Sequence, residues 1–228
     1  MKRGVLLGAV AVVPVAVWLA PLALRQVDFF RVRRVELVGV RYLAPDVVLE
    51  ALQLESDRNL FDDNGAVQRR AGAIPGVVRA KVRRRLPATL RVEVTERVPV
   101  AFAPADSGLA VIDEEGKPLP YDPAASALDL PLVPRVDPAV VRALGIVRMA
   151  DSALYHEVEA AGIDARGFGR NTIILELEQQ QVLLQAIPDI EDIRSVEAVR
   201  RHLVASGRPF DQLDARFAGW VIVRRGGV

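Results

Sequence analysis

The stretch PGVVRAKVRRRLPATLRVEVTERVPVA, residues 75–101, decides how this chain folds. Within residues 78–85, Val78, Ala80 and Val82 occupy one face, while Arg79, Lys81, Arg83 and Arg85 occupy the other. In residues 89–96, Leu90, Val92 and Val94 alternate with Arg91, Glu93 and Thr95. A period of two is that of a half-buried strand. Leu86-Pro87-Ala88 joins the two runs, which predicts an antiparallel hairpin with one face under helices and one in water. The triplet Arg83-Arg84-Arg85 reads as a solvated strand face paired across the hairpin with Glu93. Neither strand carries an aromatic side chain on which a nucleic-acid base could stack.

Working upstream, Val35 and Leu37 alternate with Arg34 and Glu36, which predicts another strand over residues 32–39. Pro45 and Asp46 open a short helix to Leu52, with proline in the first turn. A second helix is expected over residues 64–73, stopped by the Pro75-Gly76 turn. The order β-α-α-β-β follows for residues 29–97.

Further upstream lies an uncharged run of 21 residues, 4–24. As a helix it spans ~31 Å, the thickness of a bilayer's hydrocarbon core. We expect residues 5–24 to be an uncleaved transmembrane helix with Trp18 near the interface. The run is longer than a signal-peptide core, and no small-x-small cleavage site precedes Arg25. Basic residues flank both ends, so the positive-inside rule does not orient it. With residues 1–4 as a cytoplasmic tail, the body lies outside the cytoplasm.

Working downstream, residues 98–102 and 109–112 read as short strands followed by an Asp113–Gly116 turn, and residues 117–138 as loop with at most one short strand. Residues 140–161 are expected to be mostly helical and to stop at Gly162. Residues 173–177 and 182–186 suggest a hairpin. Over residues 188–206, Ile193, Val196, Val199 and Leu203 form one apolar stripe. Acids at its start, bases at its end and Gly207 behind it complete the helix signature. One or two strands close the chain over residues 213–217 and 220–223. The fold class is therefore α+β: a membrane helix, a βααββ domain, then a second mixed domain (98–228) whose mainly antiparallel sheet ends in an edge strand.

Composition permits a core, at 51% hydrophobic and 26% charged residues, and the net charge of +1 argues against a nucleic-acid partner. There is no cysteine, which excludes disulfides and thiolate chemistry. His156 and His202 are the only histidines, and neither has the partner spacing of a metal site. No serine sits in a nucleophile elbow, and no glycine pattern would cradle phosphate. The expectation is a protein with no active site, cofactor, metal or small-molecule substrate. What remains is surface. The terminal run Arg216, Phe217, Ala218, Gly219, Trp220, Val221 and Val223 can form a sheet edge that accepts a partner strand. Phe217 and Trp220 would then be anchors, or both would fill the core.

The pieces together resemble the FtsQ/DivIB family of bacterial cell-division proteins. The motifs that carry the likeness are FRVRRVELVGVRYLAPDVVLEAL (residues 30–52) and residues 59–101, which hold P-x-V-x-x-A-x-V-x-R-x-L-P-x-x-L and a Glu-Arg-x-Pro exit. GLAVIDEEGKPL, VEAVRRHLVASG and LDARFAGWVIVRR add to it. The resemblance implies a POTRA domain over 29–97, an FtsQ-type β domain over 98–228 and a septal inner-membrane scaffold. Its implied partners are bitopic division proteins of the FtsB/FtsL kind, bound by strand addition. It also implies that Arg216 matches an arginine pairing with an acidic partner residue and Phe217 an exposed Tyr, while Trp220 comes sooner than the family's Trp. The alternative is a POTRA-containing outer-membrane assembly or secretion factor, which calls for POTRA repeats and a barrel region.

Overall fold

The computed structural model describes residues 24–106, 108–124, 127–164 and 172–225. The expected cytoplasmic tail and all but the last residue of the expected membrane span lie outside them. Among the described residues no helix is long and apolar enough to cross a membrane. The chain forms two compact units with their boundary between Glu96 and Arg97, and the class is α+β.

The first unit runs β1 (Arg34–Val38), α1 (Pro45–Leu52), α2 (Gly65–Gly72), β2 (Val77–Arg85) and β3 (Thr89–Glu96). Its sheet order is β1-β3-β2, with β1 parallel and β2 antiparallel to β3. Val48 and Leu52 of α1, Val67 and Ala71 of α2, and Leu90 and Val92 of β3 are all buried together with Leu60. The alternation in the hairpin thus places one face under the two helices. Val78 departs from expectation, being 60% exposed. The β2–β3 register shifts between Val77 and Arg79, and the extra residue turns its side chain off the core face. Arg83 does pair with Glu93 across the hairpin, at 3.4 Å. Arg84 instead donates to the carbonyls of Leu60 (2.7 Å) and Asp62 (3.1 Å).

One buried carboxylate organises the turn after β1. Glu96, at the end of β3, accepts from the backbone N–H groups of Arg41, Tyr42 and Leu43 at 2.8, 2.8 and 2.9 Å. Gly39 makes that turn at φ +84°, and a β-carbon there would sit 2.1 Å from the Val94 carbonyl oxygen. Only glycine fits.

The second unit holds β4 (Ala101–Ala105), β5 (Gly108–Ile112), β6 (Pro118–Leu119), α3 (Pro138–Ala150), α4 (Ser152–Glu157), β7 (Ala160–Ile163), β8 (Thr172–Leu177), β9 (Gln180–Gln185), α5 (Ile190–Ala205), β10 (Gln212–Phe217) and β11 (Trp220–Arg224). Two strand groups, β4-β5-β6 and β11-β10-β9-β8-β7, are joined by Leu132. Its amide donates to Glu159, its carbonyl accepts from Ala161, and its neighbours Pro131 and Val133 bond Phe102 of β4. The expected helix over 140–161 is corrected. It breaks at Asp151, whose carboxylate caps α4 through the Ala153 and Leu154 amides, and residues 160–163 are a strand with Gly162 inside it. The α5 expectation holds closely. Asp189 and Asp192 form a capping box, Ile193, Val196 and Leu203 are buried, and Gly207 follows at φ +61°. Asp113 opens the expected turn from a buried position, accepting from Arg97 and the Glu115 and Lys117 amides.

Two substitutions test the turn after β1. Gly39→Ala should cost at least ~2 kcal/mol from left-handed backbone strain plus the clash. Glu96→Ala should cost about 2–3 kcal/mol by stranding three amides from a charged acceptor. Urea titration followed by far-ultraviolet circular dichroism, against the parent chain, reads both.

Candidate partner-binding edge

β10 and β11 form a hairpin over the two-residue turn Ala218-Gly219, with Gly219 at φ +76° and Phe217 opposite Trp220. β10 is held on its other side by parallel pairing with β9 through the α5 crossover. β11 therefore ends the sheet, and among the described residues no strand of this chain pairs with its outer edge. Such an edge leaves a row of backbone donors and acceptors for water or another strand.

Along β11 the side chains alternate in environment. Val221 and Val223 pack against the hydrophobic core on the α5 side. On the opposite face Trp220 is 74% exposed, Ile222 46%, and Phe217 of β10 51%. Neither aromatic fills the core. An indole, a phenyl ring and an isoleucine on one surface make an apolar patch beside a strand edge, the combination that protein interfaces favour.

Electrostatics next to the patch is set by Asp214, which sequence reading did not single out. It sits two residues before Arg216 on the same strand face and is buried. Its carboxylate accepts from Arg216 Nε at 2.8 Å and Nη2 at 2.6 Å, and from the Arg216 amide at 3.3 Å. Arg216 reaches Thr172 Oγ1 as well, at 3.4 Å, and Arg224 Nη2 stands 4.0 Å from Asp214. The Arg216 guanidinium holds the Asp214 carboxyl below its ordinary range, and the bond to Asp214 raises Arg216. So the arginine expected to face a partner acid is already engaged within its own strand, its guanidinium lying over the Phe217 ring at 5.7 Å. The Asp-x-Arg spacing on one strand face is the signal that could have revealed the pair.

The two histidines lie on the surface of the second unit. His202 is exposed at the end of α5, and His156 Nδ1 lies 3.7 Å from Asp129 on the surface. Among the described residues no group of three or more metal-ligating side chains converges.

The Asp214–Arg216 pair predicts an acid response. A carboxyl whose folded pKa is depressed adds stability that is fully present above its unfolded value and is lost as pH falls through the folded one. Arg216→Ala should cost about 3 kcal/mol near neutrality by leaving a buried charge unpaired. That cost should shrink as pH falls, because the parent loses the pair's contribution while protonation of Asp214 relieves the unpaired charge in the variant. Thermal unfolding measured from pH 7 down to pH 3 checks the sign.

Residues 30–97 match the POTRA domain, FtsQ-type. Over 115 residues the chain is 36% identical to the cell division protein FtsQ of Corynebacterium glutamicum, covering 50% of this chain and 49% of that protein. It is 29% identical to the FtsQ of Myxococcus fulvus over 210 residues, 86% of this chain and 74% of that one. With the FtsQ of Mycobacteroides abscessus it shares 32% over 120 residues, 51% and 39% of the two chains. Two of these three alignments thus span half or less of the relative's length. With the β-α-α-β-β unit in place, the first unit is similar to the POTRA domain of FtsQ-type proteins, and the chain as a whole is similar to cell division proteins named FtsQ.

Proposed function

We propose that this chain is a non-enzymatic scaffold of the division machinery that captures another bitopic division protein, of the FtsB/FtsL kind, by adding that protein's strand to β11. Residues 5–24 anchor it as a single-pass inner-membrane protein at the septum, with residues 1–4 cytoplasmic and the body outside. Residues 29–97 serve as its POTRA domain and 98–228 as its partner-binding domain. Confinement to a membrane concentrates partners in two dimensions, so a modest edge interaction suffices.

The observation that carries this reading is the open outer edge of β11 beside an exposed patch of Phe217, Trp220 and Ile222. Strand addition gives affinity through backbone hydrogen bonds, and neighbouring side chains give selectivity. Arg216, locked to Asp214, contributes by fixing the Phe217 ring and the charge beside the edge. Ala218 and Gly219 shape the turn that presents both aromatics. The outer-membrane assembly reading has no comparable support, since the first unit holds one βααββ module.

Pull-down of the partner with full-length chain tests the edge. Phe217→Asp places a charge on an exposed position, and Val221→Pro puts a proline into the edge strand. Each should weaken capture tenfold or more, ~1.4 kcal/mol, as loss of an interface anchor does. Circular dichroism should show Phe217→Asp folded like the parent. Unchanged capture by both variants removes β11 from the account.

A further inference from the structure

The first unit carries a second surface that partner capture leaves unused. Its hairpin turn projects Leu86, 65% exposed. Arg83 and Arg85 precede the turn on β2, and Arg33 and Arg34 stand beside it, since both of their amides bond the Ala88 carbonyl at 2.9 and 3.3 Å. All four arginines are exposed. Among the described residues two carboxylates answer this cluster: Glu36, shared between Arg85 and Arg91, and Glu93, shared between Arg83 and Arg91. Positive charge is left over.

The chain leading to this end is not a loose tether. Asn59 Nδ2 donates to the carbonyls of Leu24 (3.3 Å) and Val27 (3.1 Å), and Arg25 Nε to that of Phe61 (3.0 Å). The Leu60 amide bonds the Phe30 carbonyl at 2.8 Å. Phe30 meets Phe29 and Phe61 edge to face at 5.2 and 5.1 Å. Arg84 of β2 fastens to the same loop through Leu60 and Asp62. Residues 24–31, the 59–62 loop and the hairpin end are therefore one assembly, with Phe29 57% exposed beside it. It begins where the uncharged 21-residue run stops.

We infer that this end of the first unit lies on the surface of an anionic phospholipid bilayer, with Leu86 and Phe29 entering the headgroup layer and Arg33, Arg34, Arg83 and Arg85 binding lipid phosphates. Charge complementarity and the docked 24–31 segment select a bilayer over an acidic protein. The unit is held down by its hairpin as well as by its anchor, and cannot swing on a flexible stalk. This rests on residues 5–24 crossing the membrane. Each basic side chain at an anionic surface favours contact by a factor of about five, so removing two lowers the contact equilibrium ~25-fold.

Because the chain lacks cysteine, single-cysteine labelling of the full-length protein is clean. An environment-sensitive fluorophore is placed at Leu86→Cys, at Asp46→Cys on α1 and at Ala16→Cys in the uncharged run. The protein is reconstituted in phosphatidylglycerol-rich or pure phosphatidylcholine vesicles containing headgroup-proximal or deep quencher lipids. In anionic vesicles the label at 86 should be quenched by shallow lipids while the label at 46 is not. That quenching should be lost in phosphatidylcholine and with Arg83→Glu/Arg85→Glu. A label at 86 as accessible to aqueous iodide as the one at 46, with the label at 16 deeply quenched, overturns the inference alone. An unquenched label at 16 overturns the anchor and this inference together.

Discussion

A β-strand carries backbone donors and acceptors along both edges, and among the described residues Trp220–Arg224 is paired with its own chain along only one of them. The rest of the second unit makes that strand rigid while leaving its edge open. Val221 and Val223 seat it on the core, and α5 packs beneath it. The parallel β9–β10 pair, reached through the α5 crossover, holds β10 in register. A strand fixed in this way loses little conformational entropy when another strand joins it, which favours binding by preorganisation. The ion pair between buried Asp214 and Arg216, the residue just before Phe217, serves the same end. Asp214 and Arg216 satisfy one another, so the patch beside the edge stays apolar in character.

How much of this was legible in the sequence depended on how local the cause was. The β2–β3 hairpin and α1 are written in period and in proline placement, and α5 in its stripe, its cap and the glycine behind it. Those signals need no distant residue. The strand at 160–163 was misread because Ala160 and Ala161 favour helix, and the decisive influence is pairing with β8 and Leu132, remote in sequence. Val78 was misplaced for a related reason, since a bulge shifts the register after the period has been established. The burial of Asp113 could not be read from sequence, because it depends on which arginine and which amides the fold delivers, whereas Asp214 left a local trace in its Asp-x-Arg spacing. Phe217 and Trp220 could not be placed from periodicity: the turn at Ala218-Gly219 interrupts it, and only the hairpin register puts both on the outer face.

The two units divide the work by chemistry. The first is rich in arginine, and its leading segment is tied to its body by Asn59, Phe30 and Arg25. Its stability leans on Glu96 and on Gly39, which together shape the turn after β1. The second is built around a continuous core and presents a strand edge. A basic surface on the first unit and an exposed strand edge on the second are the two features on which the proposed role rests.

Hydrogen–deuterium exchange on the full-length chain, alone and with its membrane-anchored division partner, addresses strand capture most directly. Added protection should concentrate in the amides of residues 220–224, with those of 41–43 unchanged. A partner that binds while residues 220–224 exchange at their free rate would show that the complex forms elsewhere and that the open edge is not the docking site.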